Sequence, residues 1–239
     1  MRSASSGRRR LWSVVPCVRL LAFSNLAAVH GEFCKLKVLA LHGYAQTGAV
    51  LRDRSGGFRK PLRKSLFDVS FPDAPFGCTA SGEDEREADA DTSRRAWWRG
   101  HSGLETYIGW PESRQALLSL WDREGGFDGV LGFSQGAGAA AMICAEMRPR
   151  FGIFVSGFVP RDEEAARALL AGVDGAVHSL HILGLQDELV VAERSRALSD
   201  CFASATIVEH QGGHYIPSNA AMRAELAGFL DKKVFPTQQ

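Results

Sequence analysis

The chain has 239 residues, 45% of them hydrophobic, enough for one substantial core and short for two, so a single domain is the expectation. Its 28 lysines and arginines nearly balance 27 aspartates and glutamates, leaving a formal net charge of +1. No global field of that size draws a protein to nucleic acid or acidic lipid, and a neutral or modestly charged small molecule fits better as a partner.

The 5 cysteines are scattered with no Cys-x-x-Cys pair, which reads as idle or buried thiols in a reducing compartment. No apolar stretch approaches the roughly 20 residues of a membrane span. Residues 1–33 stand apart: Arg2, Arg8, Arg9, Arg10 and Arg19 accompany several serines before the first acid, Glu32. That pattern suits an organelle transit peptide. A secretory signal, with Leu11 to Ala28 as an apolar region interrupted by Pro16 and Arg19, and a plain extension remain open. The compartment is accordingly the cytoplasm or an organelle. The domain is expected over 34–239.

In chain order, Lys35 to Leu41 reads as a buried strand ending at His42-Gly43. Arg52 to Leu66 has helical spacing, curtailed by Gly56, Gly57 and Pro61. Leu66 to Phe71 reads as a second strand. From Gly77 to Gly109 the period disappears, and the acids Glu83, Asp84, Glu85, Glu87, Asp89 and Asp91 precede Trp97 and Trp98, as expected of a long insertion or lid. Without interleaved histidines these acids read as a solvated surface, and no metal is assigned.

Pro111 to Glu124 is an amphipathic helix with proline at its start. Strands follow at Asp128 to Phe133, Gly152 to Val155, Leu180 to Leu183 and Thr206 to Glu209. Helices fall at Ala137 to Met147, Glu163 to Leu170, Ala192 to Phe202 and Asn219 to Leu230. This alternation implies an α/β fold with a mostly parallel sheet covered on both faces.

The pentapeptide Gly132-Phe133-Ser134-Gln135-Gly136 has the G-x-S-x-G pattern and lies between an apolar strand and an alanine-rich helix, the context in which the serine hydroxyl is lifted out of the sheet. A serine hydroxyl needs a base that titrates near neutrality, and histidine is that side chain. Of the 7 histidines, His30 lies in the leader, His42 in the first turn and His101 in the insertion, while His178 and His181 suit a core or surface role. His214, in the glycine-rich loop Gly212 to Pro217, is the better base, and His210 the alternative. The third partner must be an acid that orients the imidazole. Asp187, after the fifth strand, is preferred over Glu188. The order Ser134, Asp187, His214 is the one used by the α/β-hydrolase fold. Backbone N–H groups of Gln135 and Tyr44 are positioned to form an oxyanion hole, each such donor being worth about 10²–10³ in rate. Phe76, Trp97, Trp98 and Phe158 are the candidates for an acyl pocket.

Six ordered blocks then carry a resemblance: Val38 to Gly48 (VLALHGYAQTG), Arg95 to Trp98 (RAWW), Phe127 to Ala137 (FDGVLGFSQGA), Phe154 to Pro160 (FVSGFVP), Leu180 to Val190 (LHILGLQDELV) and Gly212 to Pro217 (GGHYIP). On these the chain resembles the FSH-type serine hydrolases, the small eukaryotic esterases and thioesterases that include the ovarian-tumour-candidate serine hydrolase. The resemblance implies the α/β-hydrolase fold, places nucleophile, acid and base at Ser134, Asp187 and His214, and points to small alkyl or acyl esters or thioesters without metal or cofactor. The acidic stretch before Arg95 and the short segment after Pro160 look unlike a typical member, which leaves chain-length preference open. Two other readings stay open: a non-catalytic ligand-binding protein on this fold, and a peptidase. Oligomeric state is not legible.

Overall fold

Six strands, Leu36–Leu41 (β1), Phe67–Ser70 (β2), Gly129–Phe133 (β5), Phe151–Val155 (β6), Val173–Gly184 (β7) and Phe202–His210 (β8), pair into one sheet in the order β2-β1-β5-β6-β7-β8. Every pairing in that sheet is parallel. Two short strands, Phe76–Gly77 (β3) and Arg95–Ala96 (β4), pair antiparallel beside it. The computed structural model describes residues 35–62, 66–78, 94–100 and 107–236. The chain divides into two units, Met1–Cys34 and Lys35–Gln239, and all described residues belong to the second. The leader, the acids from Glu83 to Asp91, and His101 lie outside them.

Strand side chains alternate between faces with period two, and the core divides accordingly. On one face Leu39, Leu41, Val130 and Phe154 pack with α3 (Gln135–Met147), α2 (Trp110–Arg123), α4 (Glu163–Leu170) and Leu198 of α5 (Ala192–Ser199). On the other, Val38, Ala40, Leu131, Ile153 and Ile182 meet Leu51 of α1 (Gly48–Arg54) and Met222, Leu226 and Phe229 of α6 (Ala220–Phe229). A π-helical turn, Leu230–Val234, continues α6. The result is an α/β/α sandwich.

Several elements differ from expectation, among them β8, which begins at Phe202 ahead of Thr206, and the short pair β3 and β4, which had no counterpart. The first helix begins at Gly48, ahead of Arg52, because the Thr47 side chain caps it by accepting the Val50 N–H at 3.2 Å, and Ser55 ends it with its hydroxyl on the Leu51 carbonyl. The strand expected at Leu180 to Leu183 runs from Val173 to Gly184, with an irregular register between Val173 and His178, because Val173 N–H still reaches the Cys201 carbonyl at 2.7 Å. The helix expected through Phe202 stops at Ser199, since Phe202 is buried as the first residue of β8, against Phe154 and His181.

Candidate active site

The carboxyl ends of β1, β5, β6, β7 and β8 carry the residues that matter, as in open parallel sheets generally. Between β5 and α3 the chain turns through Ser134, whose φ of 54° lies in the left-handed region. A side chain at Gly132 would collide with the backbone of Gly136 and Ala137, and one at Gly136 with the carbonyls of Leu41 and His42. Both positions are glycine because backbone passes within contact distance there.

His214 bridges two partners. Its Nδ1 lies 2.8 Å from Asp187 Oδ2 and its Nε2 lies 3.0 Å from Ser134 Oγ. A carboxylate only accepts, so Nδ1–H donates to Asp187, which leaves Nε2 bare to accept the serine O–H. The Phe133 ring, 5.0 Å from the imidazole between centroids, supports it from β5. Asp187 is 1% exposed at its side chain, and its Oδ1 accepts the N–H groups of Leu189 at 3.0 Å and Val190 at 2.8 Å. Burial pushes the Asp187 carboxyl up, but the Val190 N–H, the His214 ring and the Ser156 hydroxyl outweigh it, so the group is held below the usual carboxylate range. Ser156 Oγ is itself buried without a partner in hydrogen-bonding geometry, so its influence on Asp187 is that of a nearby dipole.

The alternative base, His210, is buried at the end of β8, and its Nδ1 accepts the Gly212 N–H at 3.1 Å. Burial lowers its pKa. The Ser134 hydroxyl is met by His214 instead. His181 is a core residue between Phe154 and Phe202, lowered by burial to about 3, and His178 meets Ser204 Oγ at 2.9 Å. Glu188 is exposed.

The Gln135 N–H is the first of α3 and has no intrahelical acceptor, which leaves it directed out of the elbow. Its side chain is committed elsewhere: Oε1 accepts the Trp97 N–H at 2.9 Å and Nε2 donates to the Trp98 carbonyl at 2.9 Å. Tyr44 sits in the turn closed by Gln46 N–H on the Gly43 carbonyl at 3.3 Å. That turn is braced from below. His42 is fully buried, its Nε2 accepts the Ala74 N–H at 3.0 Å, its Nδ1–H therefore donates to the Gly43 carbonyl at 2.8 Å, and burial keeps the ring neutral.

The aromatic residues expected to form a pocket divide. Trp97 is 1% exposed and donates its Nε1–H to the His42 carbonyl at 2.8 Å, so it is a strut beneath the turn and offers no open wall. Trp98, 2% exposed, stacks on Tyr107 at 4.7 Å and meets Trp110 and Phe158 edge-on, which makes it core as well. Burying an indole removes about 150–250 Å² of surface from water, and the Trp97 N–H keeps an acceptor in doing so. Phe158 and Phe76 are partly exposed. Sequence reasoning assigned no role to Ser156, to the His42 ring or to the Gln135 side chain. The Ser156-Gly157 pair within FVSGFVP was visible, but nothing in its spacing tied it to Asp187.

Among the described residues no cluster of His, Cys, Asp and Glu could hold a metal ion, and no helix is long and apolar enough to cross a membrane. A surface groove of about 510 Å³ is walled by Glu209, His210, Tyr215 and Glu225 among others, and none of Ser134, Asp187 or His214 lines it.

Comparison with known proteins agrees with this architecture. The solved structure of maize acyl-protein thioesterase 2 superposes with a TM-score of 0.61 at 18% identity, over 82% of this chain and 92% of that one. It and its neighbours, which include esterases, share the α/β-hydrolase fold. Among curated proteins, Esterase CG5412 of Drosophila melanogaster is 31% identical over 215 residues, 84% of this chain and 75% of that protein. Esterase OVCA2 of Danio rerio is 31% identical over 222 residues, 82% of this chain and 97% of that protein. Residues 32–226 match the profile described as Serine hydrolase (FSH1), and the chain is therefore a hydrolase that belongs to the FSH1 serine hydrolase family.

Proposed function

We propose that the protein cleaves carboxylic esters or thioesters of small acyl or alkyl substrates through Ser134, His214 and Asp187. The observation that carries this reading is the unbroken hydrogen-bond chain from Ser134 Oγ to His214 Nε2 at 3.0 Å and from His214 Nδ1 to Asp187 Oδ2 at 2.8 Å, on a serine held at a left-handed φ. Ser134 Oγ attacks the carbonyl as His214 Nε2 takes its proton, and the imidazolium is stabilised by the ionised Asp187. The oxyanion is met by the amides of Gln135 and Tyr44. Collapse expels the alcohol or thiol, protonated by His214, and leaves an acyl-enzyme. Water, deprotonated by His214, attacks that ester, and the acid departs as Ser134 recovers its proton. The exposed side chains of Leu185, Leu189, Val191 and Tyr215, on the loops that carry Asp187 and His214, give the apolar part of a substrate somewhere to lie.

The test is labelling with a fluorophosphonate, followed by turnover of p-nitrophenyl esters from acetate to palmitate. Labelling of the wild-type protein at Ser134, lost in Ser134→Ala, is expected together with ester turnover. A folded wild-type protein that neither labels nor turns over any ester would overturn the reading in favour of ligand binding.

A further inference from the structure

One cation sits on the aromatic cluster beside the elbow, and a second arginine joins the cluster through its backbone. Arg161 follows the loop that leaves β6, and Arg194 is the third residue of α5. The Arg194 guanidinium lies 4.5 Å from the centroid of the Phe158 ring. Phe158 in turn lies against Gly138, whose N–H donates to the Ser134 carbonyl at 3.2 Å, and packs edge-on with Trp98 at 6.4 Å. Trp98 stacks on Tyr107, and the Tyr107 hydroxyl accepts the Arg161 N–H at 3.0 Å. Arg194 is thus seated on this aromatic cluster through its guanidinium, and Arg161 is tied to the cluster through its main-chain N–H.

Three arginines of the domain are paired with carboxylates, Arg114 with Glu146, Arg148 with Asp174 and Arg196 with Glu209, while others, such as Arg59 and Arg150, bond a hydroxyl or backbone carbonyls. Among the described residues, Arg161 and Arg194 have no carboxylate partner. The neighbouring acids are engaged. Asp162 spends Oδ1 on the Ala165 N–H and Oδ2 on the Tyr107 N–H. Asp187 spends Oδ2 on His214 and Oδ1 on two backbone N–H groups, and Glu193 lies 3.5 Å from Arg196. Burial foremost, and then the charge of Arg161, make protonation of the half-buried Arg194 harder, while Tyr107 and Asp187 partly offset them. A cation stacked on an aromatic face, short of water and facing another cation, is held ready for an anion, and guanidinium is the group that receives carboxylate or phosphate with two parallel hydrogen bonds.

We propose that Arg161 and Arg194 form an anion subsite at the rim of the Ser134 centre, so that the preferred substrate is an ester or thioester bearing a carboxylate or phosphate away from the scissile carbonyl. This rests on the hydrolase reading above. It also refines what the net charge of +1 suggests, since charge balance over a whole chain says nothing of two residues beside the site.

The test compares kcat/KM within two matched pairs on the full chain. p-Nitrophenyl hydrogen glutarate against p-nitrophenyl methyl glutarate places the charge on the acid side. Butyryl-coenzyme A against butyryl-N-acetylcysteamine places it on the leaving group. The expected result is a preference of about 10- to 100-fold for the charged member of one pair at low salt, the scale of hydrogen bonds to charged groups. That preference should shrink in 0.5 M NaCl, collapse in Arg194→Gln and in Arg161→Gln, and be kept only in small part in Arg194→Lys, whose point charge lacks the planar fork. Equal use of both members of both pairs, by protein that turns over the neutral esters, would overturn the subsite and leave the hydrolase reading intact. So would an Arg194→Gln variant that loses the same factor on charged and neutral esters, with its pH profile displaced, because Arg194 would then be a counter-charge for Asp187. Absence of labelling and of all turnover would remove the hydrolase reading and the subsite with it.

Discussion

Gln135 offers a measurement that separates bracing from chemistry. Its side chain is buried and joins two backbone groups, the Trp97 N–H and the Trp98 carbonyl, each at 2.9 Å. Gln135→Ala strands both groups in a region where the flanking indoles are 1% and 2% exposed, too closed for water to replace the lost partners. Each orphaned buried group costs about 1–3 kcal/mol, and the better helix propensity of alanine returns only about 0.4 kcal/mol. A net loss of about 1.6–5.6 kcal/mol is expected, or about 3–22 °C in Tm for a domain of this size. Activity should fall as well, because the same segment holds the Tyr44 turn through Arg95 N–H on the Gln46 carbonyl at 3.0 Å and Trp97 Nε1–H on the His42 carbonyl at 2.8 Å.

Gln135→Glu refines the test. A protonated glutamic acid reproduces both bonds, with its O–H donating to the Trp98 carbonyl. The ionised form sets a carboxylate against that carbonyl. The folded state therefore raises the pKa above the unfolded value of about 4.3. Stability from the protonated form is fully present below about 4.3 and is lost as pH rises through the folded pKa. The deficit against wild type should be widest near pH 8 and narrow toward acid, read by calorimetry or circular dichroism. A Gln135→Ala cost below about 0.5 kcal/mol, or a Gln135→Glu deficit that grows toward acid, would refute the bracing argument.

Two further outcomes follow from the same geometry. In Asp187→Asn the two N–H groups of Leu189 and Val190 keep an oxygen at Oδ1, so the amide NH₂ faces His214 and moves its proton to Nε2. The ring then cannot accept from Ser134, and fluorophosphonate labelling should slow by about 10⁴-fold in a protein with an unchanged circular dichroism spectrum; slowing of less than tenfold would contradict the assigned tautomer. His181, fully encased and lowered to about 3, makes the fold acid-sensitive: below about pH 6.5 the unfolded chain takes up a proton that the folded one refuses, so stability falls with falling pH until the folded ring itself titrates. The loss between pH 7 and pH 5 is about 2 kcal/mol, and His181→Asn should remove most of it in denaturant titrations at the two pH values.

Much of the sheet was legible because its central strands β1, β5 and β6 are apolar and each is followed by a turn residue or a helix of clear period. Ser134, Asp187 and His214 could be singled out for a related reason. Each lies just past a strand, in a segment rich in glycine, where a polar side chain has little structural purpose. What eluded the sequence was whatever depends on two segments meeting. The Gln135 amide looks like a surface residue at the start of a helix until Trp97 and Trp98 arrive, 38 and 37 residues away in the chain. Trp97 and Trp98 stood with Phe76 and Phe158 as pocket candidates, as large aromatic side chains; only the position of the His42 carbonyl decides that Trp97 faces inward. The start of α1 was missed for a local reason, since Gly48 masks the capping role of Thr47.

Backbone strain and sheet order are linked here. Of the four described non-glycine residues with positive φ, Ala45, Ser134 and Ser156 stand at the carboxyl ends of β1, β5 and β6, and only Arg148 lies elsewhere, at the end of α3. Left-handed backbone costs a side-chain-bearing residue about 1–2 kcal/mol. The sheet holds the two serines in it by continuing its ladder one residue too far: Ser134 N–H donates to the Val155 carbonyl and Ser156 N–H to the Ile182 carbonyl, both at 2.9 Å. Each bond fixes the strained residue to the next strand, where a loop would relax. Glycine at either position would relieve the strain and also delete a hydroxyl, one beside the His214 ring and one beside the Asp187 carboxylate. A chain selected only for stability would place glycine at both. That serine stands at both is a physical argument that these strand ends are kept for chemistry.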